Sequence, residues 1–69
     1  MDYANSRMKW LIEEYVHHER NRHILLRRYL DGICYEPLAE EFDMSVRQIQ
    51  NIDYRFQRTV LVKHKEEIA

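Results

Sequence analysis

The sequence predicts an all-α protein, a compact domain of four helices, on three observations. Glycine and proline occur once each, at Gly32 and Pro37, so almost nothing interrupts a helical hydrogen-bond ladder. No run of alternating apolar and polar residues is bounded by turn signals, as a half-buried strand would be. Apolar residues recur instead at intervals of three and four. With 69 residues, 45% of them hydrophobic and 33% charged, the chain makes one domain and not a disordered tail. A core of that size is marginal unless its helices pack well or the chain oligomerises.

The first helix is expected from about Asn5 to His17, within an N-terminal unit spanning 1–18. Met8, Leu11, Ile12, Tyr15 and Val16 form one buried stripe, and Trp10 lies off it. The second runs from Glu19 to Asp31, in a unit spanning 19–32, with Ile24, Leu25, Leu26, Tyr29 and Leu30 so dense that more than one side must be covered. Gly32 ends it, where a left-handed C-cap is easiest for a residue without Cβ. The third begins near Tyr35. Cys34 is its N-cap, and Pro37 sits in its first turn, where a missing N–H costs nothing because those donors have no partner inside the helix.

Ser45 starts the fourth helix. Ser45 and Gln48 have capping-box spacing, in which the hydroxyl accepts from the backbone N–H three residues on and the Gln side chain reaches back. Val46, Ile49, Ile52 and Phe56 supply its apolar positions, and the pattern continues to about Lys65, with 59–69 forming a C-terminal extension. Upstream, Leu38, Ala39 and Phe42 have helical spacing, and the small Ala39 lets another helix approach. Only Asp43-Met44 separates the two helices. So short a turn needs a residue able to enter the left-handed region, which Asp does at modest cost. Two helices at so tight a corner, the second polar on its outer face, make a helix-turn-helix over residues 34–58.

The stretch ILLRRYLDGICYEPLAEEFDMSVRQIQNIDYRFQR, from Ile24 to Arg58, resembles region 4 of bacterial sigma factors. The resemblance lies in an arginine-rich apolar helix closing on Tyr-Leu-Asp-Gly, the LAEEF helix, and the run Phe42, Asp43, Met44, Ser45 at the turn. It covers about half of the chain. Small phage and mobile-element regulators that consist of little more than such a domain are similar in size and pattern. Departures from the family fall on informative positions. Cys34 stands where Ser or Thr is usual, Val46-Arg47 where Arg-Glu follows the N-cap, and Asn51 where Gln is usual. The base code is therefore expected to differ from the family's usual promoter hexamer.

Net charge is −1, but its distribution is segregated. Arg20, Arg22, Arg27 and Arg28 occur between Arg20 and Leu30 with no acid, and Asp31, Glu36, Glu40, Glu41 and Asp43 between Asp31 and Met44 with no base. From Ser45 to Lys65, Arg47, Arg55, Arg58, Lys63 and Lys65 stand against Asp53 alone. Segregation creates a local field that the total conceals, and it favours double-stranded DNA as the partner of the fourth helix.

With Ile49, Ile52 and Phe56 facing the core, Val46, Arg47, Gln50, Asn51 and Tyr54 fall on the base-reading side. Arg bonds guanine bidentately, Gln or Asn does so with adenine, and Val46 suits a thymine methyl. Gln48, Arg55, Arg58 and Lys63 are assigned to phosphate, with capping or pairing as the competing role for Gln48, Arg55 and Arg58.

Other chemistries find little footing. His17, His18 and His23 cluster and His64 is distant, but no pair has ligand spacing with a third partner, so no metal is expected. Cys34 lacks a base and an oxyanion pocket, and the adjacent Glu40 and Glu41 point apart, so neither an enzyme nor a cofactor is expected. The absence of a ~20-residue apolar span and of a basic-then-apolar leader in MDYANSRMKW, with a single cysteine, suits a cytoplasmic protein without membrane contact.

Resemblance to region 4, without the sigma domains that bind polymerase and open promoters, implies recognition without initiation. The expected function is a sequence-specific DNA-binding transcription regulator, assisted by a homodimer or an RNA polymerase contact. The competing expectation is a protein-interaction module that binds polymerase or another regulator through Trp10, the Val60–Val62 segment and the acidic third helix.

Overall fold

The second helix organises the chain because its adjacent apolar residues point into two different cores. The computed structural model describes residues 3–63, with side chains from residue 6. It comprises α1 (Tyr3–Tyr15), α2 (Glu19–Tyr29), α3 (Tyr35–Glu41) and α4 (Val46–Phe56), the last prolonged by one π-helical turn, Gln57–Leu61. No strand occurs among the described residues, and no helix among them is long and apolar enough to cross a membrane.

Neighbouring residues on a helix are separated by about 100°. Leu25 packs with Leu11 and Ile12 of α1, Phe56 of α4 and Val60 of the π turn. Ile24 packs with Leu38 and Ala39 of α3 and Ile49 of α4. Ile52 touches both clusters and joins them. Leu11, Ile12, Ile24, Leu38 and Ile49 are fully inaccessible, and each such side chain contributes ~1.5–3 kcal/mol by leaving water.

The expected stripe holds at Met8, Leu11 and Ile12 of α1 and at Val16 just past its end. Tyr15 departs from it. Its ring, on the last residue of the helix, is 45% exposed and edge-on to Trp10 at 6.1 Å. The predicted α1 and α2 each end two residues too late. The chain leaves α2 through Gly32 at φ +70°, and Ile33 N–H donates to the Arg27 carbonyl at 3.2 Å.

Cys34 is the N-cap of α3 in extended conformation, but its side chain makes no cap hydrogen bond. Pro37 is the third helical residue, as the missing-donor argument requires. Between α3 and α4, Asp43 takes φ +54° and Met44 N–H returns to the Ala39 carbonyl at 2.8 Å.

The expected uninterrupted fourth helix is instead widened at its end. Val62 N–H reaches back five residues to the Gln57 carbonyl, and Thr59 Oγ1 donates to the Arg55 carbonyl at 2.7 Å, a back-bond that bends helices. Val60 is buried and Leu61 packs on the first cluster, whereas Val62 is 63% exposed and does not join the body. His64 to Ala69, including Lys65, lie outside the described residues.

A carboxylate ties the helices together. Asp53 is 1% exposed, which would be costly without partners. Its Oδ1 accepts from the Tyr29 hydroxyl and its Oδ2 from the Tyr35 hydroxyl at 2.5 Å. Arg28 Nε stands 3.8 Å from Oδ2, and its guanidinium lies over the Tyr35 ring at 4.7 Å. Gln57 Nε2 donates to the Tyr29 hydroxyl at 3.3 Å. Residues from α2, α3, α4 and the π turn thus converge on one charge.

Candidate nucleic-acid interface

The outer face of α4 is set by its cap and by the side it buries. Ser45 Oγ accepts from Gln48 N–H at 3.1 Å, and Gln48 Oε1 accepts from Ser45 N–H at 2.9 Å, completing the predicted capping box. Ile49, Asp53 and Phe56 are buried at helical spacing. On the opposite side Arg47, Asn51, Tyr54 and Arg58 follow one another at intervals of four, three and four, all exposed. Tyr54 is 47% exposed. Asn51, Tyr54, Arg55, Gln57 and Arg58 line one open concavity.

The nine residues assigned from sequence therefore divide. Arg47, Asn51 and Tyr54 stand together on the outer stripe with Arg58, and Gln50 is half-buried at its margin. Val46 is turned partly inward and packs on the second cluster, so less of it reaches outward than the other base-reading candidates. Gln48 has its Oε1 committed to the cap, which leaves its amide NH2 as the group to meet an external acceptor. Arg55 lies on the flank facing α2, and Lys63 is exposed beyond the π turn.

The electrostatics differ from the charge count. Asp53, counted against the bases of α4, is buried on the far side with two phenols on its oxygens. Among residues 46–63 the exposed charged groups are Arg47, Arg55, Arg58 and Lys63, all positive. The four arginines of α2 are another matter. Arg27 binds Glu41 at 2.9 Å and Asp31 at 3.0 Å, and both carboxylates raise its already high pKa, Glu41 the more. Arg28 belongs to the Asp53 group. Arg22 Nε donates to the Val16 carbonyl at 3.0 Å, pinning the α1–α2 corner, and Arg20 is exposed against Asn21. Most of the basic charge of α2 is internal structure. Glu36 and Glu40 of α3 are exposed, so α3 carries exposed acid where α4 carries exposed base.

Sequence reasoning missed the Asp53 group and the Arg22 lock. The first had a signal, since Asp53 falls four residues after Ile49 and three before Phe56, on the buried stripe. Burial, and after it the hydrogen bond to the Asp53 carboxylate, hold the Tyr29 phenol well above its usual range, and the same causes raise Tyr35. No group of three or more His, Cys, Asp or Glu residues able to hold a metal occurs among the described residues.

Comparison with family models, curated proteins and solved structures finds no match to this chain.

Proposed function

We propose that α3, its turn and α4 form a helix-turn-helix and that the chain is a sequence-specific binder of double-stranded DNA, acting as a transcription regulator of sigma region 4 type. The observation that carries this reading is the outer stripe of α4. Arg47, Asn51, Tyr54 and Arg58 are all exposed, and the helix's single acid is withdrawn to the other side. A major groove admits a helix of this kind, and Arg and Asn are the side chains that bond guanine and adenine edges bidentately. Arg47 and Asn51 lie in the first half of α4, where a reading helix of this class contacts bases, while Arg55, Arg58 and Lys63 suit phosphates farther along.

A labelled duplex pool titrated at several salt concentrations tests this. Phosphate contacts by the three cations Arg55, Arg58 and Lys63 give a slope of log K against log salt of about −2.7. Absence of duplex binding at low salt would sink the reading.

The protein-interaction alternative keeps one favouring observation. Trp10 and Tyr15 are exposed at 43% and 45%, in edge contact with each other, with Arg7 4.7 Å over the Trp10 ring. This aromatic pair lies on α1 and is compatible with DNA on α4. It suits an RNA polymerase subunit or a second copy that adds contacts a single small domain lacks.

A further inference from the structure

A groove of about 460 Å³ runs between the α1–α2 corner and the flank of α4. Its floor is the apolar side of the first cluster, and its rim carries His17, His18 and Asn21 on one side and Asn51, Arg55 and Thr59 on the other. No carboxylate lines it. Apart from Thr59, whose hydroxyl donates to the Arg55 carbonyl, the rim is made of groups able to donate to an anion, and it shares Asn51 and Arg55 with the basic face of α4. The corner is also held in place. Arg22 Nε donates to the Val16 carbonyl at 3.0 Å, Val16 N–H to the Ile12 carbonyl at 3.0 Å, and Arg22 N–H to the His18 carbonyl at 2.9 Å.

We propose that this corner is a second DNA contact, in which His17, His18 and Asn21 meet a phosphate strand flanking α4, and that the contact strengthens as the imidazoles gain charge. The inference rests on the reading of α4 as DNA-binding. With the outer stripe of α4 in a groove, the strand on its Asn51–Arg55 side passes over the rim on which His17 and His18 are exposed. A protonated imidazole adds a cation to the rim and a neutral one does not. The other charged or titratable groups near the pair are Glu13, Glu14 and Tyr15 of α1, Glu19, Arg20 and Arg22 of α2, and Arg55 of α4 across the groove. Glu13, Glu14 and Glu19 are the acids among them, and none is part of the rim.

The test is duplex binding by fluorescence anisotropy at pH 6 and pH 8, for the natural chain, the double variant His17→Gln/His18→Gln, and His23→Gln. His23 lines a separate groove with Leu26, Phe42 and Glu41, so it serves as the control. His18 makes no side-chain cap bond, so its replacement leaves the start of α2 intact. The natural chain and His23→Gln should bind about tenfold more tightly at pH 6, with a salt slope steeper by up to about 2, one counterion per charged imidazole. The double variant should lose both differences. In the unmodified chain, the imidazole proton resonances of His17 and His18 should move on addition of duplex while those of His23 stay in place. Duplex binding that ignores pH and the double variant overturns the corner contact but leaves α4 as the DNA-binding element. The same result accompanied by groove binding of an acidic peptide assigns the rim to a protein partner. Absence of duplex binding at either pH overturns both readings.

Discussion

The Asp53 carboxylate and the Tyr35 hydroxyl are 2.5 Å apart, joining the first residue of α3 to the middle of α4. The bond fixes the orientation of the two helices from the inside, while the outer stripe of α4 stays clear of acid. With Tyr29 on the other oxygen, loss of the carboxylate strands two phenols and Arg28 around a cavity. Asp53→Ala should cost about 3–5 kcal/mol, close to the whole stability of a domain this size. Tyr29→Phe should cost ~1.5–3 kcal/mol, the range for a hydrogen bond to a charged group. Urea unfolding checks both, and a near-neutral Asp53→Ala would show that the carboxylate does not hold the helices together.

The same phenols predict weakness to alkali. Tyr29 and Tyr35 have folded pKa values raised by burial and by Asp53, above the ordinary value near 10. Below about pH 10 both are protonated whether the chain is folded or not, so their contribution is complete there. Above that pH the unfolded chain releases protons that the folded chain retains, and stability falls until the folded values are reached. The melting temperature should therefore drop steeply beyond pH 10, and Tyr29→Phe should flatten the decline. An unchanged slope in that variant would remove Tyr29 from the account.

Periodicity and cap chemistry made most of the backbone legible. Four helices, the capping box at Ser45 and Gln48, the left-handed Asp43 and the position of Pro37 follow from local rules that act within a few residues. The misses depend on contacts distant in sequence. Whether Asp53 is solvated or buried is decided by Tyr29, 24 residues away, and Tyr35, 18 away. Arg22 and Arg28 read as surface charge until Val16 and Asp53 are placed beside them. The π turn likewise has no local signature stronger than Thr59, whose hydroxyl returns to the Arg55 carbonyl.

Gly32 carries a backbone prediction free of packing. Its φ is +70°, and a Cβ added there would have no atom within 4 Å, so any penalty for a side chain comes from the left-handed conformation alone. Gly32→Ala should cost ~1–2 kcal/mol, and Gly32→Asn less, because Asn tolerates this region. Equal losses in the two variants, read from chemical denaturation, would place the cost elsewhere.

Cys34 offers a gain. It is exposed and caps α3 with its backbone only, and sulfur is a weak acceptor beside a hydroxyl oxygen. Pro37 occupies the third helical position and has no N–H, so a hydroxyl at 34 has only the Glu36 N–H to accept from. Cys34→Ser should raise stability by about 0.5–1 kcal/mol, the lower part of the N-cap range. Thermal unfolding decides it, and a loss would mean that the thiol packs as an apolar group.

On the proposed interface, base and phosphate contacts should separate by position along α4. Arg47 lies in the first turn after the cap, in the half of the helix that meets base edges, whereas Arg58 sits three turns on, within the π turn. Arg58→Ala should therefore weaken binding to every duplex about equally and reduce the salt slope by ~1. Arg47→Ala should relax preference at one base position, at a cost of ~1–3 kcal/mol there, because a lost bidentate contact is felt only where its base stood. Both side chains are exposed, so neither substitution removes a core contact and the folded state is a fair reference for both. Selection from a random duplex pool, run in parallel for the natural chain and each variant, reads the two effects directly. Sequence-blind losses of equal size from both would remove Arg47 as a reader and reduce α4 to an electrostatic surface.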